Sequence, residues 1–184
     1  MNNCKEFVLD DLMAITAIPV SSIPAGDRLS PANALTPVIA ESDFSTYTLA
    51  DAITIGLQPL TTGGALVPII KHTGKVKDDE SDSVAGRMHT VTVTCEIDDR
   101  DADADAVGKR VWDYLLALER TACHLLLSFR NKKWEPGKMD AADYSQQAFV
   151  SATEDTYLCN AERDGKKVTV TLRIQNLMGM QLII

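Results

Sequence analysis

Residues 157–174 read YLCNAERDGKKVTVTLRI. Two runs of strand-forming residues flank Asp164-Gly165, and an Asp-Gly pair between such runs is a strong short-range signal for a β-hairpin closed by a two-residue type I′ turn. The spacing predicts strands over 157–163 and 166–174. In the second, Val168, Val170, Leu172 and Ile174 share one parity and Thr169, Thr171 and Arg173 the other, as in a strand with one face buried and one wet. Upstream, residues 89–97 alternate in the same way, with Val91, Val93, Cys95 and Ile97 against Thr90, Thr92, Thr94 and Glu96. The likeness of VTVTCEI (91–97) to VTVTLRI (168–174) is what alternation alone produces, and we read no duplication from it.

Between these segments, Val107, Val111, Trp112, Leu115 and Leu118 fall on one helical stripe, while Lys109, Arg110, Asp113 and Glu119 face outward. This spacing predicts one amphipathic helix over about 105–120, with Trp112 in the core. Residues 123–130 return to strand character, Pro136-Gly137 marks a turn, and residues 177–184 offer a last apolar strand. Residues 66–71 read as a strand with Pro68 at an edge, and 77–83 as an acidic polar loop. The order is strands, one helix, then strands joined by hairpin-length loops. The fold class is therefore α+β: a mainly antiparallel β sandwich or rolled sheet closed by the helix. The helix count excludes a parallel α/β fold.

The first sixty residues differ in composition. Pro19, Pro24, Pro31, Pro37 and Pro59 forbid long helices, and Ser, Thr and Ala fill much of the remainder. We expect residues 1–60 to form a Pro/Ser/Thr-rich arm or loop-rich segment ahead of a β domain over 61–184. Within it, Leu49, Ile53, Ile55 and Leu57 share the parity of a strand over 47–57, and residues 7–15 are apolar but ambiguous between helix and strand.

The chain of 184 residues is 45% hydrophobic and 24% charged, ordinary values for a globular domain. Eighteen basic against twenty-six acidic residues give a formal charge of −8, which disfavours a general binder of nucleic-acid backbones. The N-terminus lacks the basic-then-apolar order of a secretory signal, and no apolar run approaches the roughly 20 residues that span a bilayer. Cys4, Cys95, Cys123 and Cys159 are scattered without a CxxC pair, so a reduced, cytoplasmic setting is expected and a zinc ribbon is not.

No phosphate-loop, dinucleotide, nucleophile-elbow or zinc-protease signature occurs, and no enzyme activity, cofactor or metal is expected. Asp98, Asp99, Asp101, Asp103 and Asp105 invite a calcium reading, because alternating carboxylates suit a hard cation. The EF-hand spacing fails: counting from Asp101, Ala106 stands at the turn glycine and Trp112 at the bidentate glutamate. Aspartates before a helix also cap its first N–H groups, the simpler account. Asp101, Asp103 and Asp105 are therefore the weak metal candidates. His72, His89 and His124 could meet the cysteines, but Cys95 shares parity with Val91 and Val93 and points to the core, while the neighbours Cys123 and His124 face opposite ways on a strand. Trp134, in a polar run beside Lys132 and Lys133, is the candidate for an exposed contact, either to another subunit or to a loop of its own chain.

The segments 89–97, 105–120 and 157–174, preceded by a Pro- and Ser-rich arm, resemble in arrangement the small virion structural proteins of tailed phages and prophages, in particular tail-tube-like subunits. The resemblance covers about a third of the chain and carries no diagnostic motif. Such subunits form rings by adding strands edge to edge and touch neighbours through arms and loops. The likeness implies a non-enzymatic homo-oligomer, assembled in the cytoplasm into a virion beside other structural proteins. The alternatives are a monomeric ligand-binding module, calcium-dependent through Asp98–Asp105, and a small enzyme of unrecognised type.

Overall fold

In the computed structural model, residues 12–23, 50–57, 64–84, 86–98, 110–129 and 146–183 are described. They form β1 (Leu12–Pro19), β2 (Ile53–Gly56), β3 (Ala65–Pro68), β4 (Lys75–Ser83), β5 (Gly86–Asp98), α1 (Val111–Arg120), β6 (Cys123–Phe129), β7 (Gln146–Val150), β8 (Tyr157–Asp164), β9 (Lys167–Asn176) and β10 (Gln181–Ile183). A six-stranded sheet runs β10-β7-β6-β1-β2-β3, and a four-stranded sheet runs β4-β5-β9-β8. Every pairing among them is antiparallel except β2 with β3. This is the α+β sandwich that the alternation predicts.

The four-stranded sheet is amphipathic. Val91, Val93, Cys95 and Ile97 of β5 and Val168, Val170, Leu172 and Ile174 of β9 are buried in one cluster with Ile15, Ile55, Val67, Leu125 and Leu127 of the larger sheet. The two look-alike segments lie side by side in antiparallel register, Val91 opposite Ile174 and Ile97 opposite Val168. Along one side the sheets join. Beyond β3, Ile69 bridges Ile97, and the Ile70 N–H donates to the Glu96 carbonyl at 2.9 Å, so the chain passes from the edge of one sheet to the edge of the other. Thr73 fastens this corner: its hydroxyl donates to the Ile70 carbonyl at 2.7 Å and accepts from the Glu96 N–H at 3.0 Å.

In contrast, β1 and β6 are buried along their whole length and show no alternation, as expected of strands covered on both faces. On the face of the larger sheet turned away from the shared core, the Thr16 and Thr54 hydroxyls bond to each other at 2.8 Å, and His124 Nδ1 accepts the Ala152 N–H at 2.9 Å. These bonds offset the desolvation of the atoms that make them.

Several expectations are corrected. Residues 12–19, inside the supposed arm, are a strand of the larger sheet, because their apolar run is long enough to bury on both faces. Of the predicted strand over 47–57 only Ile53–Gly56 is a strand among the described residues, and residues 1–11 and 24–49 lie outside them. Residues 77–83 are not a loop but most of β4, paired with β5 from Lys75 to Ser83. The hairpin turn is displaced by one residue. Asp164 pairs with Lys167, leaving Gly165-Lys166 at the turn, and only Gly165 has positive φ (+61°), which fits a type II′ turn with glycine first. The inward parity of Val168 to Ile174 fixes this register; the dipeptide does not.

The helix begins at Val111, since Arg110 is extended (φ −85°, ψ 156°), and residues 105–109 lie outside the described set. Its start is closed reciprocally, the Arg110 N–H donating to Asp113 Oδ2 at 3.2 Å and the Asp113 N–H to the Arg110 carbonyl at 2.9 Å. The buried positions are Val111, Tyr114, Leu115 and Leu118, so Tyr114 rather than Trp112 occupies the core-facing stripe. Trp112 is half-buried, with the Arg163 guanidinium 5.1 Å over its ring. Trp112→Ala should accordingly destabilise by about 1–3 kcal/mol, the loss of partial burial and one cation–π contact. Urea denaturation reads this directly; a loss above 4 kcal/mol would place the ring in the core after all.

Candidate assembly edge

The four-stranded sheet has two outer strands, β4 and β8, and they differ in how they are finished. An open strand edge offers unpaired N–H and C=O groups to any passing strand, so its protection is informative. The β8 edge is closed by the helix. The Ala161 N–H donates to Glu119 Oε1 at 3.0 Å, the Tyr157 hydroxyl donates to the Leu118 carbonyl at 2.9 Å, and Arg163 lies over Trp112. Leu158, on the outer face of β8, remains 60% exposed.

No described element covers the β4 edge in this way. From Asp79 to Ser83 every β4 residue is exposed, as are Gly86 and Arg87 opposite them, so the far half of the β4–β5 hairpin projects beyond the sandwich. Its tip is apolar: Val84 is fully exposed, while the Ser83 hydroxyl donates to the Gly86 carbonyl across the turn at 2.6 Å. Gly86 has φ +115°, a conformation that side chains other than glycine's rarely tolerate. Lys77–Asp79 (2.8 Å) and Arg87–Glu80 (3.2 Å) are ion pairs at the surface, where such pairs contribute little to stability. The charges do protect the edge of an isolated chain, and they make any partner's pairing conditional on charge.

The base of the hairpin is anchored. His89 Nδ1 lies 3.0 Å from Asp78 Oδ1, and Asp78 Oδ2 accepts the Met180 N–H at 3.3 Å. Asn176 Oδ1 accepts the Met178 and Gly179 N–H groups at 3.1 and 2.6 Å, folding the β9–β10 connection over this pair. Gly179 is required here. Its φ is +62°, and a Cβ would lie 2.6 Å from Asp78 Oδ2 and 2.7 Å from His89 Nδ1. Sequence reasoning missed both β4 and this anchor, since KVKDDESDS carries almost no strand-forming residues; Val76, opposite Val93, was the one apolar signal.

The three described thiols, Cys95, Cys123 and Cys159, are buried and free. Burial first and the neighbouring Cys159 second push the Cys95 thiol up to about 12, and the same two causes raise Cys123 to about 12. Burial raises Cys159 to about 12 as well, against an opposing hydrogen bond from Tyr157. A nucleophilic cysteine needs the reverse shift. Cys123 and His124 do face opposite ways: Cys123 belongs to the shared core, and His124 packs its ring 5.4 Å from Phe149 on the other face. Among the described residues no group of three His, Cys, Asp or Glu side chains is placed to hold a metal. Asp101, Asp103 and Asp105 lie outside the described residues, as do Lys132, Lys133 and Trp134. A cavity of about 350 Å³ between α1 and the β1–β2 side is lined by small and apolar residues, among them Ala17, Ala52, Ala117 and Leu118. Among the described residues no helix is long and apolar enough to cross a membrane.

No family model, curated protein or solved structure matches the chain.

Proposed function

We propose that this protein is a non-enzymatic structural subunit that assembles with copies of itself, in the manner of a phage or prophage tail component. The observation that carries the reading is the inequality of the two edges of the four-stranded sheet. β8 is sealed by α1, whereas β4 extends nine residues with its outer half exposed and an apolar residue at its tip. A closed ring gives each such edge a partner, and strand addition supplies main-chain hydrogen bonds without a large apolar patch. The acidic balance of −8 would let a tube pass nucleic acid without adhering to it.

Light scattering over a concentration series tests it. The mass should grow with concentration toward a closed ring or tube and be indifferent to calcium and chelator. Val84→Asp should shift that growth to higher concentration while leaving the melting temperature unchanged, because Val84 has no packing to lose. A monomer at every concentration overturns the assembly reading, and a monomer that calcium stabilises transfers the weight to a binding module built on the aspartates.

A further inference from the structure

A strand that adds to the β4 edge has to match its charges, and their order on β4 is specific. Among the described residues β4 is paired with β5 alone. Ser83 and Gly86 close the hairpin, and in an antiparallel ladder every second pair counted from such a closing pair exchanges hydrogen bonds. Lys75, Lys77, Asp79 and Ser81 are therefore bonded to β5, and the N–H and C=O groups of Val76, Asp78 and Glu80 point to the open side. The side chains divide by the same parity. Val76 lies opposite the buried Val93 and Asp78 is held by His89, both on the inner face, whereas Lys75, Lys77, Asp79 and Ser81 share the outer face with Thr94, Thr92 and Thr90. There Lys77 and Asp79 are 74% and 53% exposed and lie 2.8 Å apart.

We propose that this edge takes β4 of a second copy, antiparallel about a two-fold axis at Asp78, so that two four-stranded sheets become one of eight strands. The proposal rests on the assembly reading and specifies its contact. In this register Lys77 stands opposite the partner's Asp79 and Lys75 opposite the partner's Ser81, and the symmetry repeats both pairs. Directly opposed side chains on one face are about 5 Å apart, within reach of an ion pair. Two lysines and two aspartates then alternate in sign around the axis. Centred on Lys77 or on Asp79 instead, the pairing would set that residue against its own copy, and like charges directly opposed are destabilising. Asp78 does meet itself across the axis, but on the inner face, where its carboxylate already bonds His89 and the Met180 N–H. The open main-chain groups of Val76, Asp78 and Glu80 fall opposite the partner's Glu80, Asp78 and Val76, as a hydrogen-bonded ladder requires. Larger assemblies then contain even numbers of chains.

Sedimentation velocity of the full chain over a concentration series reads the association, at low ionic strength where surface charges are least screened. Lys77→Glu and Asp79→Lys should each weaken it about tenfold, since each puts two like-charge oppositions in place of two ion pairs. An equimolar mixture of the two variants should associate as the wild type does, because each carries the charge that the other lacks. The double variant should do so alone. Thermal melts should show every variant folded, both side chains being exposed; if a single variant does not fold, the double variant carries the comparison. A wild-type monomer at every concentration overturns this proposal together with the assembly reading. Wild-type association that the single variants retain undiminished, or that neither the mixture nor the double variant restores, overturns the β4 contact and leaves assembly standing.

Discussion

A chain lacking residues 1–19 should not fold. β1 lies between β2 and β6 in the middle of the larger sheet, pairing with β2 from Ala14 to Ala17 and with β6 from Leu12 to Pro19. Its removal leaves two inner edges unpaired and takes Leu12, Met13, Ile15 and Ile18 out of the interior, all of them buried. Burial of an aliphatic side chain contributes about 1.5–3 kcal/mol, so four such residues contribute on the order of 10 kcal/mol, comparable with the whole stability of a domain. The Thr16–Thr54 hydrogen bond is lost as well, leaving the Thr54 hydroxyl without its partner on a buried face. Far-ultraviolet circular dichroism and a thermal melt decide the matter: the truncated chain should show no cooperative transition. A cooperative melt near that of the full chain would restore the view of this segment as a detachable arm and remove β1 from the core.

That arm was expected for a definite reason. Where one face of a strand is wet, as in β5 and β9, the sequence alternates, and the parities of Val91 to Ile97 and Val168 to Ile174 gave the core of the smaller sheet residue by residue. β1 is covered on both faces, so LMAITAIP has no period to read, and the prolines around it drew attention to what they forbid rather than to the strand between them. β4 failed in the opposite way. Its residues are charged because they lie at an edge and in a projecting hairpin, and only pairing with β5 makes them a strand. The candidate edge was therefore hidden in a segment that composition describes as a loop. The helix stripe was legible in period but not fully in phase: Val111, Leu115 and Leu118 were placed correctly, while Trp112 is only half-buried and Tyr114 is buried on a helix that packs against β8 and β3. Cys95 was read correctly as a small core residue from its parity with Val91 and Val93.

Alkaline destabilisation should be steep and should belong to the thiols. Cys95, Cys123 and Cys159 are buried in one core cluster, each raised from 9.0 to about 12 chiefly by burial. In the unfolded chain they ionise near the ordinary value, so between those two limits the unfolded state has released protons that the native state retains. Stability is then fully present below pH 9 and is lost as pH rises toward 12, the direction required when the unfolded state binds fewer protons. Each thiol contributes about 1.4 kcal/mol per pH unit over that window, and since Cys159 faces the other two the three titrate as a set. Urea midpoints at pH 8, 9 and 10 measure the slope, and the double variant Cys95→Ala, Cys159→Ala should flatten it even though it lowers stability at pH 8. The comparison cancels the titration of groups remote from the thiols; Tyr157, whose ionisation is opposed first by burial and then by Cys159, changes with the set. In a Cys4→Ala background a thiol reagent at pH 8 should modify the remaining cysteines only as fast as the protein opens, because a buried, protonated sulfur is a poor nucleophile. Equal slopes in the two proteins, or rapid modification of the folded chain, would mean that these sulfurs are not enclosed and that the seam between β5, β6 and β8 is open to solvent.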